Sequence, residues 1–129
     1  NAARLGVADR AETRPAACRA PRWTERLGRF ACVIANPPYV ETGAELSPSV
    51  RDYEPAGALY AGPEGLDDYR ILVPQLPGLL APGGVAVLEI GASQADSVAR
   101  IAAAAGFTSE LRRDLGGRSR ALILRKTRD

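Results

Sequence analysis

The sequence predicts an α/β fold: a partly parallel sheet, crossed over by helices, that ends in an antiparallel pair. Three observations lead there. Residues 30–35, Phe-Ala-Cys-Val-Ile-Ala, are a short uncharged apolar run containing β-branched Val33 and Ile34, the pattern of a strand buried in a parallel sheet. Residues 85–90, Val-Ala-Val-Leu-Glu-Ile, form a second apolar run, broken only by Glu89. Near the end, residues 109–113 and 121–125 flank Gly116-Gly117, which reads as two antiparallel strands around a turn.

In chain order, residues 1–5 look like the last turn of a helix, with Gly6 as its stop. A chain that opens on a helix end and lacks a starting Met is expected to be a piece of a longer one. Residues 18–29 make a polar connection carrying Trp23. The apolar strand over 30–35 then meets Asn36-Pro37-Pro38-Tyr39, where two prolines remove two backbone donors and fix two φ angles, so the strand must stop. The segment 41–65 is rich in Gly, Pro and acids and too long for an ordinary connection; such loops in compact domains are usually functional or disordered. Residues 66–80 read as a helix with Leu72, Val73, Leu76, Leu79 and Leu80 on one side, kinked or broken at Pro74 and Pro77. Residues 81–84 read as a turn into the strand over 85–90. Ser93 can cap a helix that runs to about Ala105 and ends at Gly106. No internal repeat is evident.

Composition narrows the class. A length of 129 residues with 46% apolar and 25% charged residues suits one globular domain, although one small for a complete nucleotide-binding α/β enzyme. The net charge is only +2, and the basic residues are scattered arginines apart from Lys126, so nothing argues for a nucleic-acid groove. With no His and only Cys18 and Cys32, neither a metal site nor a disulfide framework is expected. No run has transmembrane length and no signal-peptide pattern opens the chain. The expectation is a reduced, cytoplasmic domain without a membrane role.

The tetrapeptide carries the chemistry. At the carboxyl edge of an open α/β sheet, where ligands bind, it presents a polar amide, a rigid carbonyl and an aromatic face. An amide or aromatic-amine nitrogen is a poor nucleophile, because its lone pair is delocalised into the adjoining π system. A site that alkylates one must accept hydrogen bonds from its N–H groups and aim the lone pair. The Asn36 side-chain oxygen and the Pro37 carbonyl are suitable acceptors, preorganised by the prolines. Tyr39 can lie against the planar group and hold it in line. No strong base is needed, since the nitrogen becomes acidic only once alkylated.

Asn36-Pro37-Pro38-Tyr39 after an apolar strand resembles the signature of S-adenosylmethionine-dependent methyltransferases acting on amino nitrogens. The residues downstream narrow the resemblance: Val50-Arg51-Asp52-Tyr53-Glu54-Pro55, Ala58-Leu59, Gly65-Leu66, Tyr69-Arg70, Leu80-Ala81-Pro82-Gly83-Gly84, Leu88-Glu89-Ile90-Gly91, Gln94, Ala105-Gly106-Phe107, Asp114 and Arg120. With Asn1-Ala2-Ala3-Arg4-Leu5-Gly6 at the start, the series resembles the HemK-type methyltransferases, which modify a glutamine side-chain amide in peptide-chain release factors.

The resemblance implies a single partial catalytic domain over 1–129, holding the later strands of a Rossmann-like methyltransferase sheet, with the first strands absent and lying upstream. It implies S-adenosylmethionine as cofactor and a release factor as protein partner. Asn36, Pro37, Pro38 and Tyr39 would be catalytic and substrate-binding, Glu54 would touch substrate within a substrate-binding loop over 41–65, and Trp23 and Asn36 would touch cofactor. The family would also place a strand over 11–17, where Pro15 and a weak pattern oppose it. Arg22 stands where the family has an acid beside the aromatic residue. No Gly-x-Gly-x-Gly turn follows a strand. Two other readings stay open: an adenine amino-methyltransferase acting on nucleic acid, since a flipped base suits the same tetrapeptide, and a truncated, non-catalytic remnant.

Overall fold

The computed structural model describes residues 1–40, 62 and 64–127. Most of the loop expected over 41–65, Glu54 included, lies outside the described residues. The core is a four-stranded sheet with β1 Phe30–Ala35, β2 Leu80–Glu89, β3 Phe107–Arg113 and β4 Ser119–Lys126, in the order β1-β2-β4-β3. β1 lies parallel to β2, with Val33 opposite Ala86 and Ala35 opposite Leu88. β4 runs antiparallel to β2 and to β3, with Leu122 opposite both Leu88 and Leu111. The α/β class, the parallel pair and the closing antiparallel pair are therefore as the sequence predicts.

Helices cover one face of this sheet. The segment after Gly65 forms α1 Asp67–Leu72, a 3-10 turn Val73–Gln75 and α2 Leu76–Leu79. Pro74 and Pro77 cannot donate to the carbonyls one turn back, so the helix is interrupted where the prolines predict. Its apolar stripe still faces inward: Leu72, Val73, Leu76, Leu79 and Leu80 are all buried. They pack with Ala86, Leu88, Leu122 and Leu124 of the sheet and with Val98 and Ala102 of α3, which spans Ala95–Ala104. No described helix is long and apolar enough to cross a membrane.

The sheet corrects several sequence expectations. β1 is not buried on both faces: Phe30, Cys32 and Ile34 point away from the helices, and Ile34 is 78% exposed. Residues alternate across a strand, and among the described residues β1 has a strand partner on one side only and helices on one face only. The turn expected over 81–84 is instead a bulge inside β2, where the register jumps from Phe30 opposite Leu80 to Cys32 opposite Val85. Gly84 allows it, since a Cβ there would lie 2.8 Å from the Phe30 carbonyl oxygen. Ser93 is exposed and does not cap α3; Gln94 holds the N-cap position, and its carbonyl accepts the Val98 N–H at 2.9 Å. Gly106 closes the helix as expected, at φ +87.

Residues 1–5 form one turn closed by Leu5 N–H to the Asn1 carbonyl at 3.0 Å, and Gly6 follows at φ +70. A 3-10 turn over Ala8–Arg10 comes next, and no strand forms over 11–17, where Pro15 removes a ladder donor. The connection over 18–29 is pinned to the interrupted helix and to the start of β2. The exposed Arg19 pairs with buried Asp68, Gln75 Nε2 donates to the Cys18 carbonyl at 3.2 Å, and Arg29 donates to the Leu80 carbonyl at 3.0 Å. Cys18 and Cys32 are free thiols.

The β3–β4 turn is built on Asp114, whose carboxylate accepts the Gly116 and Arg118 N–H groups at 2.9 Å and the Arg120 guanidinium at 3.3 Å. The Arg118 N–H first, with help from Arg120 and Gly116, holds this carboxyl below its ordinary 3.8. A depressed carboxyl stabilises the fold above its unfolded value and stops doing so as pH falls through its folded value. Wild-type stability should accordingly drop as pH falls below about 4, whereas Asp114→Asn should be less stable at pH 7 and show a shallower acid slope in urea titrations. In the core, Leu76→Ala should cost about 2–5 kcal/mol. Leu115→Ala, at a fully exposed position, should stay within about 0.5 kcal/mol in the same titration.

Candidate functional site

β1 and β2 run parallel and end at Ala35 and Glu89, so their carboxyl ends share one edge of the sheet. Asn36-Pro37-Pro38-Tyr39 leaves β1 at that edge. Asn36 is exposed, Pro37 is buried, and Pro38 and Tyr39 are half-buried. The amide therefore faces outward while the residue behind it is fixed twice, by its ring and by its surroundings. The edge expected from the sequence is where the tetrapeptide lies.

Tyr39 is held at both ends. Its hydroxyl donates to Glu89 Oε1 at 3.0 Å, and its carbonyl accepts from Gln94 Nε2, also at 3.0 Å. Partial burial first, then the Glu89 carboxylate, raises the phenol above its ordinary 10, so it remains a donor throughout the neutral range. Below it, the Tyr69 hydroxyl donates to the Glu89 carbonyl at 2.6 Å, and burial pushes that phenol far up. Tyr69 is fully buried, so the end of β2 is tied to α1 from inside the core.

Gln94 is 7% exposed, and its amide reaches three chain segments. Besides the Tyr39 carbonyl, Nε2 donates to the Gly65 carbonyl at 3.1 Å, while Oε1 accepts the Gly91 N–H at 2.9 Å. Two glycines make room. A Cβ at Gly65, where φ is +71, would lie 2.3 Å from the Tyr39 carbonyl oxygen and 2.7 Å from Gln94 Nε2. A Cβ at Gly91 would lie 2.9 Å from Gln94 Oε1 and 3.3 Å from the Tyr39 ring. Neither Glu89 nor Gln94 is among the site residues that the sequence suggests. The available signal was the lone carboxylate closing an otherwise apolar strand, with a glutamine five residues on.

Trp23 is placed elsewhere. Its indole N–H donates to Gln75 Oε1 at 2.7 Å, on the 3-10 turn, and its ring packs half-buried against the core. It also lines an open cavity of about 420 Å³ whose wall is Pro15, Pro21, Leu27, alanines and Arg14. No carboxylate lines that cavity. Arg22, where the family has an acid, turns to Glu25 at φ +61. This wall suits a flat apolar group, with Arg14 as the charged side chain in it. Among the described residues, the tetrapeptide edge offers an exposed amide, a carbonyl and an aromatic ring, and the cavity beside Trp23 has no acid in its lining. Among the described residues no hydrogen bond joins Trp23 to the tetrapeptide, and no cluster of His, Cys, Asp and Glu could hold a metal ion.

Removing the Tyr39 hydroxyl tests the hold on the tetrapeptide. Tyr39→Phe should lose about 1 kcal/mol of stability, and Gly65→Ala more, about 2 kcal/mol or above, because it adds both overlap and a left-handed φ. Thermal and urea denaturation of the two variants, run side by side, gives the order.

No family model matches this chain. Curated proteins do. It is 41% identical over 129 residues to the release factor glutamine methyltransferase of Cereibacter sphaeroides, covering 97% of this chain and 45% of that protein. It is 42% identical over 102 residues to the enzyme of the same name from Rhodospirillum rubrum, covering 77% and 31%. The chain thus spans less than half the length of the curated relatives it matches. Among solved structures, the release-factor-specific protein-(glutamine-N5) methyltransferase of Alicyclobacillus acidocaldarius matches with a TM-score of 0.48 and 28% identity, over 77% of this chain and 50% of that one.

Proposed function

We propose that this chain, which belongs to the release factor glutamine methyltransferase family, carries the part of the active site that holds and aims a glutamine side-chain amide for N-methylation. The observation behind this reading is the exposed Asn36 amide at the carboxyl edge of the parallel pair, followed by a buried Pro37 and by a Tyr39 fixed at both ends. Asn36 Oδ1 and the Pro37 carbonyl accept the two N–H groups of the substrate amide, which orients its plane and leaves the nitrogen lone pair on one side. The Tyr39 ring packs on the amide and limits its rotation. After alkylation the nitrogen carries one proton too many and releases it to water, so no base is assigned. The Glu54 side chain, next to a proline in the loop over 41–65, is the proposed contact to the protein substrate.

S-adenosylmethionine, the donor that the family implies, would supply an electrophilic methyl group, its S–CH3 bond breaking as the neutral thioether leaves; Trp23 and Asn36 are the residues here proposed to border it. The protein partner is a peptide-chain release factor presenting its glutamine, which sets the reaction in the cytoplasm and apart from membranes. A second reading, a non-catalytic remnant, is favoured by two observations: the lining of the cavity beside Trp23 has no acid, and no Gly-x-Gly-x-Gly turn follows a strand in the sequence.

The test is methyl transfer by the protein that carries this sequence, using tritiated donor and offering release factor and duplex DNA in parallel. Label on a release-factor glutamine supports the reading. Label on adenine replaces it with the nucleic-acid alternative, and label on neither, with no donor binding by calorimetry, leaves the remnant. Asn36→Ala should lower turnover about 100-fold, since preorganised dipoles contribute on that scale, with donor affinity within about threefold. Equal losses in both would remove the amide-holding role from Asn36.

A further inference from the structure

Gln94 combines features that surface glutamines lack. It is buried, it opens a helix without capping it by its side chain, and both atoms of its amide are engaged by backbone from three different segments. A buried amide with partners on both atoms has a single orientation, because turning it over would set its oxygen against two carbonyls and its NH2 against the Gly91 N–H. The neighbouring backbone is shaped to it, since side chains at Gly65 and Gly91 would collide with the amide. Burial of this kind is costly unless every partner is present. A capping hydrogen bond or an apolar side chain would serve the helix start as well. What only an amide does here is donate to the Tyr39 carbonyl while accepting on its other atom.

We propose that Gln94 is a positioning residue for the reaction: it sets the Tyr39 backbone, and through it the aromatic face and the Asn36-Pro37 acceptors, against the strand edge. The role rests on the methyl-transfer reading above, and Gln94 itself touches neither substrate nor donor. Glu89 complements it from the other end of Tyr39, through the hydroxyl. The two holds differ. The Glu89 contact fixes the ring tip, while the Gln94 contact fixes the backbone that carries the reacting geometry.

Two variants separate positioning from mere support. Gln94→Ala removes all three hydrogen bonds. Gln94→Glu keeps an acceptor for the Gly91 N–H but, when ionised, sets its other oxygen against the Tyr39 and Gly65 carbonyls; when protonated it regains one donor. Turnover of Gln94→Ala at saturating donor and substrate should fall about tenfold or more, as displaced reacting groups do, with donor affinity within about threefold. Gln94→Glu should be as slow at pH 8.5 and recover as pH is lowered to 6, a profile absent from the wild type and from Gln94→Ala. Circular dichroism at the assay temperature confirms that each variant is folded.

A measurement independent of activity accompanies these. With 3-fluorotyrosine incorporated and the Tyr39 resonance assigned through Tyr39→Phe, both Gln94 variants should shift or broaden the Tyr39 fluorine line and leave that of buried Tyr69 in place. Unchanged Tyr39 fluorine lines with unchanged turnover overturn the positioning role. Turnover that falls only in step with melting temperature, with no pH recovery in Gln94→Glu, overturns it as well. Shifted lines in a protein that methylates nothing would support the hold on Tyr39 and refute the methyl-transfer reading instead.

Discussion

The parallel pairing of β1 with β2 is the constraint on which the described structure depends. It aligns Ala35 with Leu88, so that the residues leaving one strand face the residues ending the other. Tyr39 can reach Glu89 only because of that alignment, and Gln94 can reach Tyr39 only because the turn after Glu89 starts at the same edge. A slip of one residue would reverse the faces of β1, exposing Val33 and Ala35 and burying Ile34 and Cys32 against the helices. The bulge over 81–84, with Gly84 beneath the Phe30 carbonyl, lets β2 begin directly from α2 and still meet β1 in register.

The site is rigid for reasons spread over the chain. Two prolines limit the tetrapeptide from within, and its outer contacts come from β2 through Glu89 and from the start of α3 through Gln94, while Tyr69 of α1 holds the end of β2 that carries Glu89. Each contact is short-range, yet the partners lie 50 and 55 residues from Tyr39. The Trp23 side is built differently. Trp23 faces a cavity walled by alanines and prolines, and its polar edge is spent on Gln75. Among the described residues the tetrapeptide edge is therefore closely supported, while the cavity beside Trp23 has no acid in its lining.

Among the described residues, β1 leaves one edge and one face of the sheet uncovered. Ile34, Val87 and Ile123 lie in register across that face. Uncovered strand edges are templates for pairing with another chain. The helix-covered face, by contrast, holds the whole buried core, which explains why the interrupted helix keeps its apolar stripe despite two prolines: burying five apolar side chains outweighs the hydrogen bonds that the prolines remove.

Local pattern by itself determined most of the element types, because they follow from features readable within a few residues. The apolar run before two prolines had to be a strand that stops, Pro74 and Pro77 had to interrupt a helix, and Gly106 had to end one. Asn36 and Tyr39 stood out as candidates because they place an amide and an aromatic face on either side of a rigid proline pair. Tertiary structure alone decided the rest. Burial of β1 depends on how many neighbours it has, which an apolar run does not record. The bulge over 81–84 needed the Phe30 carbonyl opposite Gly84 before a turn signal could become part of a strand. Ser93 lost the cap to Gln94 because the neighbouring backbone holds the glutamine amide. Glu89 and Gln94 entered the site only through contacts made across the sheet edge, and hydrogen bonds between residues so far apart in sequence leave no periodicity or spacing to read.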